Sequence, residues 1–386
     1  SLWVYQIPTF FQKTEVMKIG LNATCFNNRP SGAKQRFIGI YSNLFTRLKD
    51  DKFVIYEPVD CNISAWFGEF NNVTYIKTPL NSQHRYKKYL HGLLYWPRIF
   101  RLEKFDIFET FSLPLIRSKT ELALLTIHDI RGIHQQDLWL KRFFHNMILK
   151  NSLKHADHVI TVSNYMKNET LNHFPNTKVT VIYNGINTCE FVEETELRVD
   201  SVINKFKLSS EFILAVGHLE PRKNYHLLIK ALKNLHSKGE FLHLLIIGNN
   251  SGELDSITQM VESLGLSKYV KILNGITDQE LKVIYKLAKL FVFPSSYEGF
   301  GIPILEAMGS DCPLVVSDIP VFREIIGNKG VYFDYSDFES IANTIKDILA
   351  SNNRRMDLIE YGTKRVKDFE FIEISKNLQK LYKEVC

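Results

Sequence analysis

Short apolar runs alternate with helical patterns along this chain, give way to a polar, acidic segment near residues 190–202, and then begin again. Before the break the runs are 18–25, 53–56, 107–110, 122–127, 158–162 and 179–182. After it they are 212–216, 242–247, 270–273, 290–294 and 313–316. They are rich in Val, Ile and Leu without the every-second-residue alternation of a half-solvated strand, so they suit parallel strands covered on both faces. Strand and helix alternating twice over predicts an α/β chain of two doubly wound, Rossmann-like parallel-sheet domains. Ligands of such sheets bind beyond the strand C-terminal ends, so two facing domains create a cleft. The expected divisions are 17–190, 191–369 and a terminal helix at 370–386, whose Ile374, Leu378, Leu381 and Val385 share one side. Residues 1–16 read as an upstream extension or a cloning remnant and are left out of the fold.

The run FVFPSSYEGFGIPILEAMGSDCPLVV, residues 291–316, carries the most chemistry. An apolar strand ends in a Gly-broken loop with Glu298; Pro303 opens a short helix with Glu306, Gly309 stops it, and a strand follows. Two carboxylates thus surround one helix N-terminus with its free amides. A carboxylate accepts hydrogen bonds in pairs and can hold a vicinal diol, while the amides and helix dipole suit an anion. Diols beside a phosphate describe a nucleotide-sugar. The bland alternative is a strand-loop-helix with solvated acids.

A second constellation, Gly217-His-Leu-Glu-Pro-Arg-Lys-Asn224, follows one strand and precedes a helix. Arg222 and Lys223 fall just before that helix, where positive charge and free amides converge and a leaving diphosphate would be stabilised. A solvated basic turn is the plainer reading. In the first half, Thr126-Ile-His128-Asp129 closes an apolar strand, so His128 is aimed at the cleft or is structural. Arg29-Pro-Ser-Gly-Ala33 follows the first strand, and Gly32 either permits close approach of a ligand or makes a turn.

The string E-G-F-G-I-P-I-L-E-A-M-G, with the Arg-Lys pair, resembles the donor-site signature of the retaining family 4 glycosyltransferases of GT-B fold. That resemblance spans residues 17–386 and implies a last helix that crosses back to the first domain. It implies that Glu306 holds the ribose diol and that Glu298, with the amides of Gly299, Phe300 and Gly301 and the neighbouring Ile302, holds the sugar. It places Arg222 and Lys223 on the departing diphosphate, His128 beside the reacting centre, and Gly32 against the phosphates or the acceptor. The backbone at 273–278, Ile276 included, would grip the base. The activity implied is transfer of a sugar from GDP-mannose or a UDP-sugar to a hydroxyl of a glycan or lipid-linked acceptor in surface polysaccharide or lipopolysaccharide synthesis. A nucleotide-sugar epimerase of the same fold and a non-catalytic binding protein are the alternatives.

Neither a metal nor a cofactor is expected: there is no Asp-x-Asp triplet and no His/Cys cluster with ligand spacing, and Arg222 with Lys223 can neutralise the diphosphate. Five scattered cysteines fit no disulfide framework, and no apolar run reaches membrane-spanning length, so a cytoplasmic setting is expected, peripheral to the inner membrane face in one reading. Residues 1–190 hold 24 Lys+Arg against 15 Asp+Glu, which calls for an anionic partner in the first half. The cationic-aromatic run 84–101 suits an anionic membrane surface; the alternative is a domain helix with Leu90, Leu93 and Leu94 packed inward. No nucleic acid is expected, since the basic half matches no aromatic-basic module.

Overall fold

The structure, a computed structural model, describes residues 16–386 except 30, 84, 117–121, 131–138, 192–195 and 210. The extension at 1–16 (all but its last residue), His84 and part of the acidic break lie outside the described residues. The first half runs β1 (Lys18–Asn22), α1 (Gly32–Arg47), β2 (Lys52–Glu57), β3 (Val73–Lys77), α2 (Arg85–Leu102), β4 (Ile107–Thr110), β5 (Leu122–Ile127), α3 (Trp139–His155), β6 (His158–Thr161), α4 (Asn164–His173) and β7 (Val179–Val181). The second runs α5 (Glu196–Phe206), β8 (Phe212–Val216), α6 (Tyr225–Ser237), β9 (His243–Ile247), α7 (Leu254–Ser263), β10 (Val270–Leu273), α8 (Asp278–Leu287), β11 (Leu290–Phe293), α9 (Ile302–Gly309), β12 (Leu314–Ser317), α10 (Pro320–Ile326), β13 (Tyr332–Phe333), α11 (Phe338–Leu349) and α12 (Asn352–Arg365), before the last helix α13 (Phe371–Val385).

Among the described residues the strands form two sheets, ordered β3-β2-β1-β4-β5-β6-β7 and β10-β9-β8-β11-β12-β13, and every pairing is parallel. Central strands such as β8 and β11 are buried at every residue, which is why they read as unbroken apolar runs. The strand order reverses beside β1 in the first sheet and beside β8 in the second. The loops after these strands open at the switch points, where such sheets accept ligands.

Two features tie the halves together. Ile186 N donates to Phe369 O at 2.9 Å and Phe371 N donates to Ile186 O at 3.1 Å, so the two crossing segments hydrogen-bond to each other. Helix α13 then packs against α1, with Ile374, Leu378, Leu381 and Tyr382 buried in the core of the first domain. The terminal helix does cross back.

Candidate active site

Strand β11 delivers its chain into the loop 294–301, and Gly301, at φ 108°, turns it into α9. That left-handed angle suits glycine, and Pro303 follows in the first turn. On the neighbouring switch-point strand, β8 leads through Gly217 and a 3₁₀ turn at Pro221–Lys223 into α6, with Asn224 also left-handed at φ 52°. The two loops meet in one ion cluster. Glu298 Oε1 lies 2.6 Å from both Lys223 Nζ and Arg222 Nη1, and Arg222 Nη2 lies 2.5 Å from Glu220 Oε1. Arg222 Nη1 also donates to Tyr297 O at 2.9 Å, and Ser296 N donates to Arg222 O at 2.8 Å, so the guanidinium and its backbone brace the Glu298 loop.

This cluster is largely removed from water. Lys223 is 5% exposed, with its ammonium 4.5 Å from the Phe293 ring centroid. Burial would raise the Glu298 carboxyl, but Lys223 and Arg222 overcome it and hold it at about 2. Burial works against the Arg222 guanidinium, yet Glu298 and then Glu220 lift it above its ordinary value. A buried ammonium and a partly buried guanidinium that share the Glu298 carboxylate at a strand end can trade it for the oxygens of a diphosphate.

Glu306 sits one helical turn into α9, and Tyr285 Oη donates to its Oε2 at 3.1 Å. Burial pushes its carboxyl up to about 7, against the Tyr285 hydrogen bond that lowers it. Gln35 of α1, from across the cleft, also acts to lower this carboxyl. Ile276 follows β10 in the loop before α8 and packs, partly buried, on the core of the second domain. Phe300 is 3% exposed, its ring among Tyr183 and Phe369, so only its backbone is available to a ligand.

The first domain meets this surface at three points. A side chain at Gly32, the first residue of α1, would overlap Ile302, so the N-terminal turns of α1 and α9 abut. A Cβ at Gly299 would overlap the carbonyl oxygen of His128, so the 294–301 loop passes directly over the end of β5. Ser163 caps α4 by accepting from Met166 N and donates its hydroxyl to Gly299 O at 2.7 Å. Burial, aided by Arg36, drives the His128 imidazole down to about 3, so it is neutral at physiological pH. His128, Gly299 and Gly32 therefore stand at the domain junction with Ile302, while Arg222, Lys223 and Glu298 form the ion cluster and Glu306 lies one turn along α9. The residues 296–301 and 220–224 belong to one site; Ile276 packs on the same core as Phe300.

Sequence reasoning missed Glu220, Gln35, Ser163, Tyr285 and Tyr225, whose phenol donates to Gly217 O at 2.8 Å. The Glu220 carboxylate lies two residues before Arg222 and was open to view; the others come from distant segments. The Gly299 contact gives a direct expectation. Gly299→Ala should force the loop off β5, cost about 1–3 kcal/mol, and lower the melting temperature and turnover together; a melting curve and activity unchanged from the parent would mean that the loop lies clear of His128.

Comparison with known proteins follows the same division. Residues 198–365 match the family model described as glycosyl transferases group 1, and residues 51–190 match that described as glycosyltransferase family 4. The chain is 35% identical over 239 residues to the O-antigen chain mannosyltransferase RfbU of Salmonella typhimurium, covering 61% of this chain and 62% of that protein. It is 27% identical over 274 residues to O-antigen chain mannosyltransferase B of Escherichia coli, covering 69% and 71%. The aligned segment thus spans less than two thirds of the first of these relatives. Among solved structures, a sucrose-phosphate synthase from Thermosynechococcus elongatus superposes with a TM-score of 0.77 at 19% identity, over 96% of this chain and 99% of that one, a likeness of fold.

Proposed function

Matched over both halves by glycosyltransferase models, the chain belongs to the family 4, group 1 glycosyltransferases of GT-B fold, and from that premise we propose that it transfers a sugar from a nucleoside-diphosphate donor to a glycan or lipid-linked acceptor. The observation that carries the reading is the cluster of buried Lys223 with partly buried Arg222 and Glu298 beside the N-terminus of α9. Donor binding exchanges Glu298 for the diphosphate on the two cations, which frees the carboxylate for sugar hydroxyls. Glu306 takes the ribose diol, and the amides of Gly299, Phe300 and Gly301 line the sugar. His128, neutral, sits beside the reacting centre as a hydrogen-bonding group. Among the described residues no group of three or more His, Cys, Asp and Glu could hold a metal ion; in this reading the two cations supply the charge that a metal would. Retention, through a front-face substitution assisted by the leaving phosphate, is what the resemblance to the family implies. Both curated relatives are named O-antigen chain mannosyltransferases, so GDP-mannose is the first donor to test, ahead of UDP-sugars, and lipopolysaccharide synthesis the setting.

The test is a thermal-shift panel of UDP, GDP, ADP, CDP and dTDP, followed by transfer assays with the donor of the winning base. A nucleotide at about 100 times its dissociation constant adds about 2.7 kcal/mol, enough to move the melting point by a few degrees. One nucleotide should stabilise the protein, and the shift should survive excess chelator. Loss of the shift on chelation would bring a metal into the site. Product formed without an acceptor would replace transfer by epimerisation.

A peripheral membrane contact belongs to the same reading. Leu90, Leu93 and Leu94 do not pack inward: they are 61%, 55% and 81% exposed on α2, beside exposed Arg98 and Arg101. Buried Trp96 packs on Tyr56 and Phe108 instead. Helix α3 adds exposed Phe143, Phe144 and Met147. Through Phe108 and, in lateral register with it, the β5 positions 123, 125 and 127, α2 and α3 cover the same sheet face. The two helices carry nine Lys+Arg and no Asp or Glu. Apolar side chains among cations suit an anionic headgroup layer, at about 1 kcal/mol per basic residue near the surface. The parent protein should sediment with phosphatidylglycerol vesicles at low salt, and the Leu93→Glu/Leu94→Glu variant should stay in solution. Failure of the parent to sediment would remove the membrane from the reading.

A further inference from the structure

A set of buried polar groups under the first domain's side of the cleft has no part in donor binding as described above. Glu109 of β4 is fully buried, and its carboxylate is met by three hydroxyls from three other elements. Oε2 accepts from Tyr41 Oη of α1 at 2.7 Å and from Tyr382 Oη of α13 at 2.6 Å; Oε1 accepts from Thr126 Oγ1 of β5 at 2.5 Å. Arg36 of α1, 2% exposed, lies close enough for its charge to act on Glu109, Tyr41, Tyr382 and His128, while its Nη2 donates to Ile182 O at 3.2 Å. Buried charges of this kind are poor sources of stability, because a well-packed apolar group of the same volume commonly does as well. What they give is fixed geometry, since each short bond to a carboxylate is directional.

The geometry they fix ends at the active centre. Glu109 pairs laterally with Leu124 in the sheet, so Leu124, Thr126 and, just past the strand end, His128 lie on the side of β5 that faces α1 and α13. Thr126 is therefore the last anchored side chain before His128 on that face. Tyr382 comes from the helix that leaves the second domain directly after its crossing contact with Ile186. We propose that Glu109 is a positioning residue for the reacting centre: through Thr126 it sets the end of β5 that carries His128, and through Tyr382 it ties that strand end to the C-terminal helix. The crossing helix is then part of the catalytic apparatus at one remove, and its seating on α1 is read out at His128. This inference rests on the assignment of His128 to the reacting centre.

Three hydroxyl changes test it with little disturbance of volume: Thr126→Val, Thr126→Ser and Tyr382→Phe, each assayed for donor and acceptor KM, kcat and melting temperature, with His128→Ala alongside. Thr126→Val and Tyr382→Phe should each lower kcat by about ten-fold, the worth of one hydrogen bond to a charged group, with donor KM little changed. Thr126→Ser, which keeps the hydroxyl, should restore kcat. The double variant Thr126→Val/Tyr382→Phe should lose less than the product of the single losses, because both act through one carboxylate. A lower melting temperature with kcat unchanged would make Glu109 a structural ion only, and fully additive losses would break the link between the helix and the strand. If His128→Ala itself retains full kcat, the assignment of His128 fails; if only His128→Ala is impaired, that assignment stands and the positioning role of Glu109 falls.

Discussion

Replacing Lys223 by Ala is expected to lower turnover by about 10²- to 10³-fold, the usual consequence of removing one preorganised charge or donor from a developing negative charge. The ammonium is held at 5% exposure on a 3₁₀ turn, 2.6 Å from Glu298 and over the Phe293 ring, where little water competes with it. A charge in that setting acts on a departing diphosphate far more strongly than it would at the surface. Glu298 keeps a second cation in the variant, since Arg222 Nη1 contacts the same carboxylate oxygen at 2.6 Å. The loss of stability should therefore stay below the ~3–5 kcal/mol typical of a buried charge left wholly unpaired. Arg222→Ala is a less clean probe, because that side chain also braces the Tyr297 carbonyl and with it the loop. Turnover per folded molecule, with melting temperature measured beside it, decides the matter. Near-normal turnover in the Lys223 variant would end the diphosphate role.

The parts of this molecule that were legible from residues alone are those whose signal is local. Buried strands such as β8, β9 and β11 announce themselves as apolar runs, and Gly301 and Pro303 mark the start of α9 within one residue. Strand β3 went unread because it is an edge: Val73-Thr-Tyr-Ile-Lys77 is partly or fully exposed at every residue, the opposite of the unbroken buried run that the central strands show. Strand β13 has two residues and too little pattern to find. The alternative that packed Leu90, Leu93 and Leu94 inward failed for a related reason: on an outer helix, apolar spacing does not say which face the sheet covers. Within the site, Arg222, Lys223, Glu298 and Glu306 belong to short motifs, but their partners do not. Ser163 reaches Gly299 across 136 residues and Tyr382 reaches Glu109 across 273, and neither separation leaves a trace in a single chain.

A pH dependence of donor binding that vanishes in Glu306→Gln is the sharpest expectation for the ribose end of the site. A diol donates two hydrogen bonds to a carboxylate, but a protonated acid has lost one of the accepting positions and gained a donor. Burial puts the Glu306 carboxyl at about 7 in the free protein, so the competent form is incomplete at neutral pH. If the nucleotide binds only the ionised form, the apparent dissociation constant should be about ten-fold larger at pH 6 than at pH 8, one decade per unit below the pKa. Glu306→Gln keeps the shape and one acceptor; it should weaken binding at pH 8 by about 10–100-fold, the worth of one hydrogen bond to a charged group, and show no slope. Native stability should respond in the opposite sense. A carboxyl whose folded pKa lies above its unfolded value favours the fold when protonated, and that contribution disappears as pH rises from about 4.5 towards 7. The difference in melting temperature between parent and Glu306→Gln should therefore grow, in favour of the variant, as pH rises through that window. Calorimetric titration at pH 6, 7 and 8 on both proteins measures the binding half. A parent affinity flat across that range would mean that the diol is held elsewhere or that the carboxyl of the free protein is already ionised throughout, and the slope in native stability separates the two: present, it keeps the raised carboxyl and moves the diol; absent, it removes the premise.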